Sequence, residues 1–202
     1  NFPVKPGEKQ EELPKAGIKE FGANLKSLFL NGPWVLVLLI GVFYCIRCPF
    51  YIGTMNYYYR FVLGIDETFS SLPNLLGIIA GLIVLPFVPK IIDKWGHRTP
   101  LLLSFAGCAI AFLVGLLFRN NVYVLCGVIT VDLALEAMQL TITFAMLADT
   151  LDYGYLKFGK KMSGLGFAAS SFVQKAGPAF AGFLMSIFME MSKLDASAEI
   201  GA

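Results

Sequence analysis

The chain has 202 residues, of which 56% are hydrophobic and 15% charged, and its mean hydropathy is +0.68. A soluble domain is normally about 45–50% apolar and roughly 25% charged, so this composition excludes a water-soluble globule, while 18 Phe and 8 Tyr exclude a disordered chain. The net charge of +2 gives no indication of a nucleic-acid partner, and a multi-pass membrane protein remains.

Five stretches of the chain are apolar and long enough to cross a bilayer, which requires about 20 residues. The sequence therefore predicts an all-α integral membrane protein whose transmembrane bundle occupies residues 33–191. Residues 192–202 are polar and follow an odd number of spans, so we expect a truncated extracellular loop there and a sixth helix of the bundle to be missing. The predicted spans are residues 33–62, 72–92, 99–118, 122–147 and 162–189.

Basic residues lie mainly on one side of the predicted membrane. Eleven of the 16 lysines and arginines fall in residues 1–32 and in the connections after the second and fourth spans, whereas three fall on the opposite side. Because basic segments are retained in the cytoplasm, we expect residues 1–32 to be cytoplasmic and the protein to lie in the plasma membrane, the inner membrane of the cell.

Four ionisable side chains fall well inside the predicted spans: Arg47, Asp132, Glu136 and Lys175. Such groups are costly in a bilayer and need a partner or a water-filled cavity. Asp132 and Glu136 are four residues apart and share one helical face. The network Arg47, Asp132 and Glu136 is either part of a translocation cavity or a structural ion pair that fixes the helices. We favour a functional role for Lys175.

Polar residues near these charges are candidates for solute binding. Ser171 precedes Lys175 by one helical turn, and Gln139 and Thr143 form a second pair at that spacing. Tyr57 belongs to an aromatic cluster at the end of the first span, where it either stacks on a solute or forms part of an interfacial aromatic belt. We therefore predict a substrate site built from these five residues.

The third predicted span contains no charged residue. Its only polar groups are Thr99 and Ser104, so the whole circumference of the helix is suited to lipid. We expect it to lie at the periphery of the bundle, outside the helices that line a cavity.

Residues for metal or enzymatic chemistry are sparse. The four cysteines lie in apolar stretches and there is a single histidine, so the ligands of a zinc site are lacking. Asp149 and Asp152 could hold magnesium in a membrane enzyme, but such a site seldom depends on one pair of carboxylates. We expect no metal, no cofactor and no enzymatic activity.

The connection after the second span reads Asp-Lys-Trp-Gly-His-Arg over residues 93–98. It resembles the loop signature of the major facilitator superfamily, Gly-x-x-x-Asp-Arg-x-Gly-Arg-Arg/Lys, from which Pro89, Lys94 and His97 depart. The basic side chains of this connection can contact anionic lipid headgroups. Asp93 and Arg98 are therefore candidates for a cytoplasmic gate.

A longer pattern follows the fourth span and resembles the signature of the glycoside–pentoside–hexuronide:cation symporters, the melibiose permease family. That signature is roughly Asp-x-x-Asp-Tyr, Lys-x-Gly-x-Arg-x-Glu-Gly and Phe-x-x-Lys-x-Gly-x-Ala. The resemblance covers essentially the whole chain. Here the pattern reads Asp149-x-x-Asp152-Tyr153, Lys157-x-Gly-x-Lys161-x-Ser163-Gly and Phe172-x-x-Lys175-x-Gly-x-Ala.

The resemblance implies that the five spans are helices seven to eleven of a twelve-helix bundle, with residues 1–32 as the central cytoplasmic loop. The other partners would be a small-molecule solute, membrane lipid and the N-terminal six-helix half of the same polypeptide. The family's site for the coupling cation, Na⁺ or H⁺, lies in that other half.

The resemblance also implies roles for individual residues. Lys175 and Ser171 match positions at the sugar site, and Asp149, Asp152, Tyr153 and Lys161 match residues of the cytoplasmic gate. There are three departures. Lys161 replaces an arginine and loses its bidentate geometry, Ser163 replaces a glutamate, and Leu140 stands where some sugar-transporting members have tryptophan.

We therefore expect the C-terminal half of a cation-coupled symporter that moves a sugar or glycoside by alternating access. One alternative is a transporter of the same fold for another solute, such as a lysolipid or a uronide. A second alternative is a membrane receptor or scaffold that does not transport, because fold alone does not determine function.

The predicted topology can be tested by labelling single cysteines with a membrane-impermeant thiol reagent, after the four native cysteines have been replaced. A cysteine at Lys94 or Lys160 should react only from the cytoplasmic side, and one at Asn120 only from the outside, because the basic connections are retained in the cytoplasm. Labelling of position 120 from the cytoplasm would contradict the five-span topology.

Overall fold

A computed structural model describes residues 18–159 and 162–191, and over these ranges the chain forms seven α-helices and no strand. A π-helical turn (Tyr58–Val62) extends the second helix, and a 3₁₀ turn (Leu85–Phe87) joins the third helix to the fourth. The helices are α1 (Ile18–Phe29), α2 (Gly32–Tyr57), α3 (Glu67–Val84), α4 (Val88–Trp95), α5 (Arg98–Leu117), α6 (Val122–Phe158) and α7 (Ser163–Met191).

Five helical stretches are long and apolar enough to cross a membrane, which confirms the predicted all-α membrane fold. Each coincides with one predicted span. Helix α1 lies within the predicted cytoplasmic segment, whose residues 1–17 are outside the described ranges, as are residues 192–202. The spanning stretches are Gly32–Val62, Ser71–Trp95, Arg98–Leu117, Val122–Phe158 and Ser163–Met191.

Helix α6 is longer than its apolar sequence predicts, because it continues beyond residue 147 to Phe158. Residues 148–158 are more polar than the rest of the helix, so hydropathy alone does not predict them as part of a span. They contain no proline that would end the helix. The helix ends at Gly159, which adopts φ 65° and donates its N–H to the Tyr155 carbonyl. This left-handed conformation is typical of glycine at a helix C-terminus.

Helix α6 occupies the centre of the bundle and contacts α2, α3 and α5. Small residues let these helices approach closely: Gly77 of α3 lies against Leu133, and a Cβ at Gly81 would lie 3.1 Å from the Cβ of Ala137. Close contact through small residues is the usual basis of helix packing in membranes, where no hydrophobic effect drives association.

The third span does not contact lipid on all sides, as its sequence had suggested. One stripe of α5 is buried. It begins with Pro100 and Leu101 and continues with the small residues Ser104, Cys108, Ala111 and Gly115. A Cβ at Gly115 would contact Val128 of α6 at 3.4 Å. The opposite side of α5 is exposed and apolar, and it is therefore suited to lipid. The expectation that this span lies outside the helices that line a cavity is wrong, because Phe105, Cys108 and Phe112 line the cavity between α2, α5 and α6.

Helix α7 packs mainly on α2 through glycine. A Cβ built on Gly177 would lie 2.5 Å from the Cβ of Cys45 and 3.0 Å from its carbonyl carbon. Further along, the rings of Phe50 and Phe188 meet edge to face with centroids 5.7 Å apart. The pair α2 and α7 therefore depends on a close approach of backbones at Gly177.

The C-terminal part of α6, which is predicted to be cytoplasmic, is held by the turn between α1 and α2. Asn31 in this turn is fully buried, and its Nδ2 donates to the Thr150 carbonyl at 2.7 Å. A Cβ at Gly154 would lie 2.6 Å from the same Nδ2. An apolar cluster that includes Leu28, Trp34 and Leu151 surrounds this contact.

The contact at Gly177 predicts that Gly177→Ala destabilises the protein, because the added methyl group has no space against the Cys45 backbone. Overpacking of this kind costs about 1–3 kcal/mol. Gly182→Ala on the same helix is the matched control, since no atom lies within 4 Å of the position of its Cβ. Thermal unfolding in detergent should show a lower midpoint for the first variant alone, and equal midpoints would contradict the packing.

Candidate functional site

The three predicted charges of α2 and α6 meet at the centre of the bundle. Arg47 Nη1 lies 3.1 Å from Asp132 Oδ2 and 3.2 Å from Asp132 Oδ1, and Arg47 Nη2 lies 3.4 Å from Glu136 Oε1. Both carboxylates are buried, whereas a third of the Arg47 side chain is exposed. Because Asp132 and Glu136 lie one turn apart on α6, a single guanidinium on α2 reaches both.

A cavity of about 540 Å³ borders this charge triad (Arg47, Asp132 and Glu136) between α2, α5 and α6. Arg47, Tyr51, Thr54, Cys108 and Asp132 contribute polar groups to its wall. Within the part of the chain that the structure describes, neither Arg47 Nε nor the Tyr51 hydroxyl has a hydrogen-bond partner. Arg47 and Asp132 place charge at one part of the cavity wall, whereas Phe50, Phe105 and Phe112 make much of the remaining wall apolar.

Lys175 lies apart from the triad, on the exposed side of α7. It is about 18 Å along the helix axis from Ser163, at the middle of the span. Ser171 is also exposed and lies one turn away on the same face. No ion pair among residues 18–159 and 162–191 includes Lys175, and Arg47 is the cation that contacts Asp132 and Glu136.

Thr143 and Gln139 lie between the triad and the cytoplasmic half of the bundle. Thr143 lines a small cavity of about 30 Å³ together with Tyr44 of α2 and Gln174 of α7, which is enough space for one water molecule. Gln139 is fully buried, and its Nε2 donates to Cys108 Sγ at 3.3 Å. In this conformation Thr143 faces a cavity and Gln139 faces α5.

Tyr57 lies far from Lys175. It is about 18 Å beyond Cys45 along α2, and Cys45 is the residue that Gly177 contacts. Its ring stacks on Phe61 with centroids 5.8 Å apart and lines an aromatic cavity of about 470 Å³ between α2 and α7. The structure therefore does not bring Tyr57 together with the other predicted substrate residues.

The predicted gate residues lie at the cytoplasmic end and are exposed. Asp149, Asp152 and Tyr153 lie on the helical extension of α6, Asp93 lies near the end of α4, and Arg98 begins α5. Arg98 and Asp149 line one cavity of about 460 Å³. Lys161 falls outside the described residues.

Two residues that the sequence analysis did not select connect these elements. His97 Nδ1 lies 3.7 Å from Asp149 Oδ2 and joins the α4–α5 connection to α6, and Asn31 joins the start of α2 to Thr150. An asparagine before Gly-Pro signals a helix start, and a histidine beside Arg98 signals a polar loop. Neither signal identifies the partner, which lies on a distant part of the chain.

A bundle of spanning helices with ionisable groups at mid-depth is typical of membrane transporters. Comparison with known proteins agrees: the profile of the family described as MFS/sugar transport protein matches residues 3–201. The chain belongs to this family, and within the major facilitator superfamily it is a member of the glycoside–pentoside–hexuronide:cation symporters. The recognition made from the sequence is thus confirmed.

Curated relatives are symporters and carriers. The inner membrane symporter YicJ of Escherichia coli is 29% identical over 180 residues, which cover 86% of this chain and 38% of the relative. The glucuronide carrier protein homolog of Escherichia coli is 28% identical over 177 residues, covering 84% and 37%. The raffinose carrier protein of Pediococcus pentosaceus is 23% identical over 158 residues, covering 76% and 24%. No solved structure gives a significant match.

The chain thus spans less than two fifths of the length of these relatives. Their names describe carriers and symporters, one of them of the inner membrane, and the five spanning helices of this chain agree with a multi-pass protein of the plasma membrane.

The triad predicts that Arg47→Met is strongly destabilising, because it leaves buried carboxylates without their cation. Removal of one partner of a buried ion pair costs about 3–5 kcal/mol. The triple variant Arg47→Met, Asp132→Asn, Glu136→Gln should recover most of the lost stability, since no charge then remains. Thermal unfolding measures the effect, and Arg119→Met, at an exposed position, is the control. A single variant as stable as this control would show that the triad does not hold α2 to α6.

Proposed function

We propose that the chain is the C-terminal half of a cation-coupled symporter for a sugar or glycoside. In this proposal the solute binds between this bundle and an N-terminal six-helix half of the same polypeptide. Alternating access moves the two halves about the solute. The coupling cation, Na⁺ or H⁺, binds in the N-terminal half.

The main support for this proposal is the position of Lys175. An ammonium at the middle of a membrane span is costly in lipid and lies in a water-filled cavity or beside a partner. Lys175 is exposed on α7, and Arg47 already pairs with Asp132 and Glu136. The face of α7 that carries Lys175 and Ser171 is therefore best suited to an aqueous solute path.

The remainder of α7 is consistent with such a path. Gly166, Gly177 and Ala181 form its buried side, whereas exposed aromatic residues such as Phe172 and Phe183 are suited to lipid. The polar face lies between these two sides. A helix with one packed, one apolar and one polar face fits the wall of a membrane cavity.

The cytoplasmic cluster fits the role of a gate. Arg98 and Asp149 carry opposite charges on two elements, the start of α5 and the extension of α6. His97 Nδ1 lies 3.7 Å from Asp149 Oδ2 and forms an ion pair with it when the imidazole is protonated. Exposed ion pairs of this kind are worth about 0–1 kcal/mol each. Contacts this weak can form and break during a transport cycle without a large barrier.

The solute class is proposed from the relatives, whose names include a raffinose carrier and a homologue of a glucuronide carrier. A uronide carries a carboxylate that Lys175 could pair with, and a glycoside carries hydroxyls that could accept from its ammonium. A lysolipid transporter and a receptor that binds without transport are the alternatives to be separated by experiment.

The proposal predicts that Lys175→Ala in the full-length protein abolishes solute binding and uptake while the protein remains folded in the membrane. Uptake of labelled glycosides, uronides and lysolipids into proteoliposomes would be measured first on the wild-type protein. Binding and thermal unfolding would then be measured on Lys175→Ala, with Lys26→Ala on the exposed side of α1 as the control.

Three outcomes would contradict the proposal in different ways. Normal solute binding by Lys175→Ala would remove this lysine from the site. Lost stability that is recovered by adding Asp132→Asn or Glu136→Gln would make it a structural residue. Binding of a solute by the wild-type protein with no uptake under any ion gradient would favour the receptor over the transporter.

A further inference from the structure

We infer that the charge triad of this chain is a proton-binding site, with Glu136 as the carboxyl that takes up and releases the proton. The site lies within the C-terminal bundle and is additional to the cation site proposed for the other half. Its link to solute movement rests on the proposed function, whereas proton binding itself does not.

The inference starts from the charge of the triad. One guanidinium contacts two carboxylates, so the triad carries one net negative charge when both carboxylates are ionised. Asp132 is 4% exposed and Glu136 is 5% exposed, and an unbalanced charge so deeply buried is strongly unfavourable. One proton on the pair of carboxylates makes the triad neutral.

No other side chain packed against Glu136 supplies the missing positive charge. From α2, the groups that face it are Arg47, Tyr44, Cys45 and Cys48. Thiols and phenols of this kind are acids and cannot carry a positive charge.

The other elements that pack on this part of α6 do not supply it either. Cys108 of α5 faces Asp132, and α3 meets this stretch of α6 through Gly77 and Gly81. Among the described residues, Arg47 is therefore the single cation of the site.

The geometry favours Glu136 over Asp132 as the proton carrier. Arg47 Nη1 contacts both oxygens of Asp132, at 3.1 and 3.2 Å, whereas the guanidinium makes one contact with Glu136, at 3.4 Å from Nη2. Asp132 and Arg47 thus form the closer pair. The proton binds to a Glu136 carboxylate oxygen and forms the neutral acid, and on release it passes to water.

Two cavities with largely apolar walls lie along the seam between α2 and α6. On one side, the cavity of about 540 Å³ is lined by Arg47 and Asp132 and by the Tyr51 hydroxyl, which has no partner within the described part of the chain. On the other side, Tyr44 and Thr143 line the cavity of about 30 Å³, which can hold one water molecule. Water in the larger cavity can therefore reach Arg47 and Asp132, the two members of the triad that line it.

Protonation changes the force that holds α2 to α6. With Glu136 neutral, Arg47 and Asp132 form a balanced buried pair that is stable in a closed seam. With Glu136 ionised, the excess negative charge favours water at the seam, and hence a conformation in which the seam is open. A proton thereby shifts the population between two states of the bundle, which is the requirement for coupling.

Proton binding is tested by infrared difference spectroscopy on the purified full-length protein in lipid, comparing acidic with alkaline buffer. The wild-type protein should show a band of a protonated, buried carboxyl that moves on exchange into D₂O. The band should vanish in Glu136→Gln and persist in Glu190→Gln, a control at an exposed carboxylate of α7. A band that is absent from the wild-type protein, or unchanged in Glu136→Gln, would overturn the inference.

Two further variants test whether the proton binds to Glu136 or to Asp132. They also provide a test of the inference if Glu136→Gln does not fold. Glu136→Asp keeps a carboxyl at this position and should shift the frequency of the band, whereas Asp132→Glu should leave the frequency unchanged. The opposite result would place the proton on Asp132 and overturn the assignment to Glu136.

Coupling is tested by the pH profile of solute uptake into proteoliposomes. Glu136→Gln should lose the pH dependence that the wild-type protein shows, because its triad is neutral at every pH. Uptake with an unchanged pH profile in this variant would overturn the coupling role and leave the proposed transport function intact. A titrating carboxyl in a protein that moves no solute would contradict the proposed function and leave the proton site intact.

Discussion

The bilayer requires every polar group within it to be satisfied by the protein or by trapped water, and this requirement determines the architecture of the bundle. Helix α6 carries two carboxylates into the hydrocarbon, and it is accordingly the helix with the largest buried share, surrounded by α2, α3 and α5. Gly77 and Gly81 of α3 allow the close approach that seals this helix from lipid. The single guanidinium of α2 then compensates one of the two negative charges.

The two mid-membrane cations meet the same requirement in different ways. Arg47 can satisfy two carboxylates at once because its guanidinium is planar and has several donors, and it becomes part of the packed seam. Lys175 is a compact ammonium on a face of α7 that no other described helix covers. The first cation therefore belongs to the interior of the bundle, and the second belongs to its surface.

Much of this arrangement could be predicted from the sequence, because the signals are local. Apolar runs of sufficient length define the spans, and the spacing of Asp132 and Glu136 places them on one face. The extension of α6 was not predicted, because hydropathy identifies only the apolar part of a helix and the residues after Leu147 are polar. The contacts of Asn31 with Thr150 and of His97 with Asp149 could not be predicted, since they join residues that only the tertiary fold brings together.

The length of α6 has a mechanical consequence. One continuous helix of 37 residues carries Glu136 at the centre of the membrane and Asp149 about 20 Å away at the cytoplasmic end. A helix without proline over this distance is stiff. A displacement of α6 at the triad would therefore also displace Asp149, the residue that contacts His97. The close contact of Gly154 with Asn31 packs this part of α6 against the start of α2. The fold thus places the buried charges and the predicted gate residues Asp149, Asp152 and Tyr153 on one continuous helix.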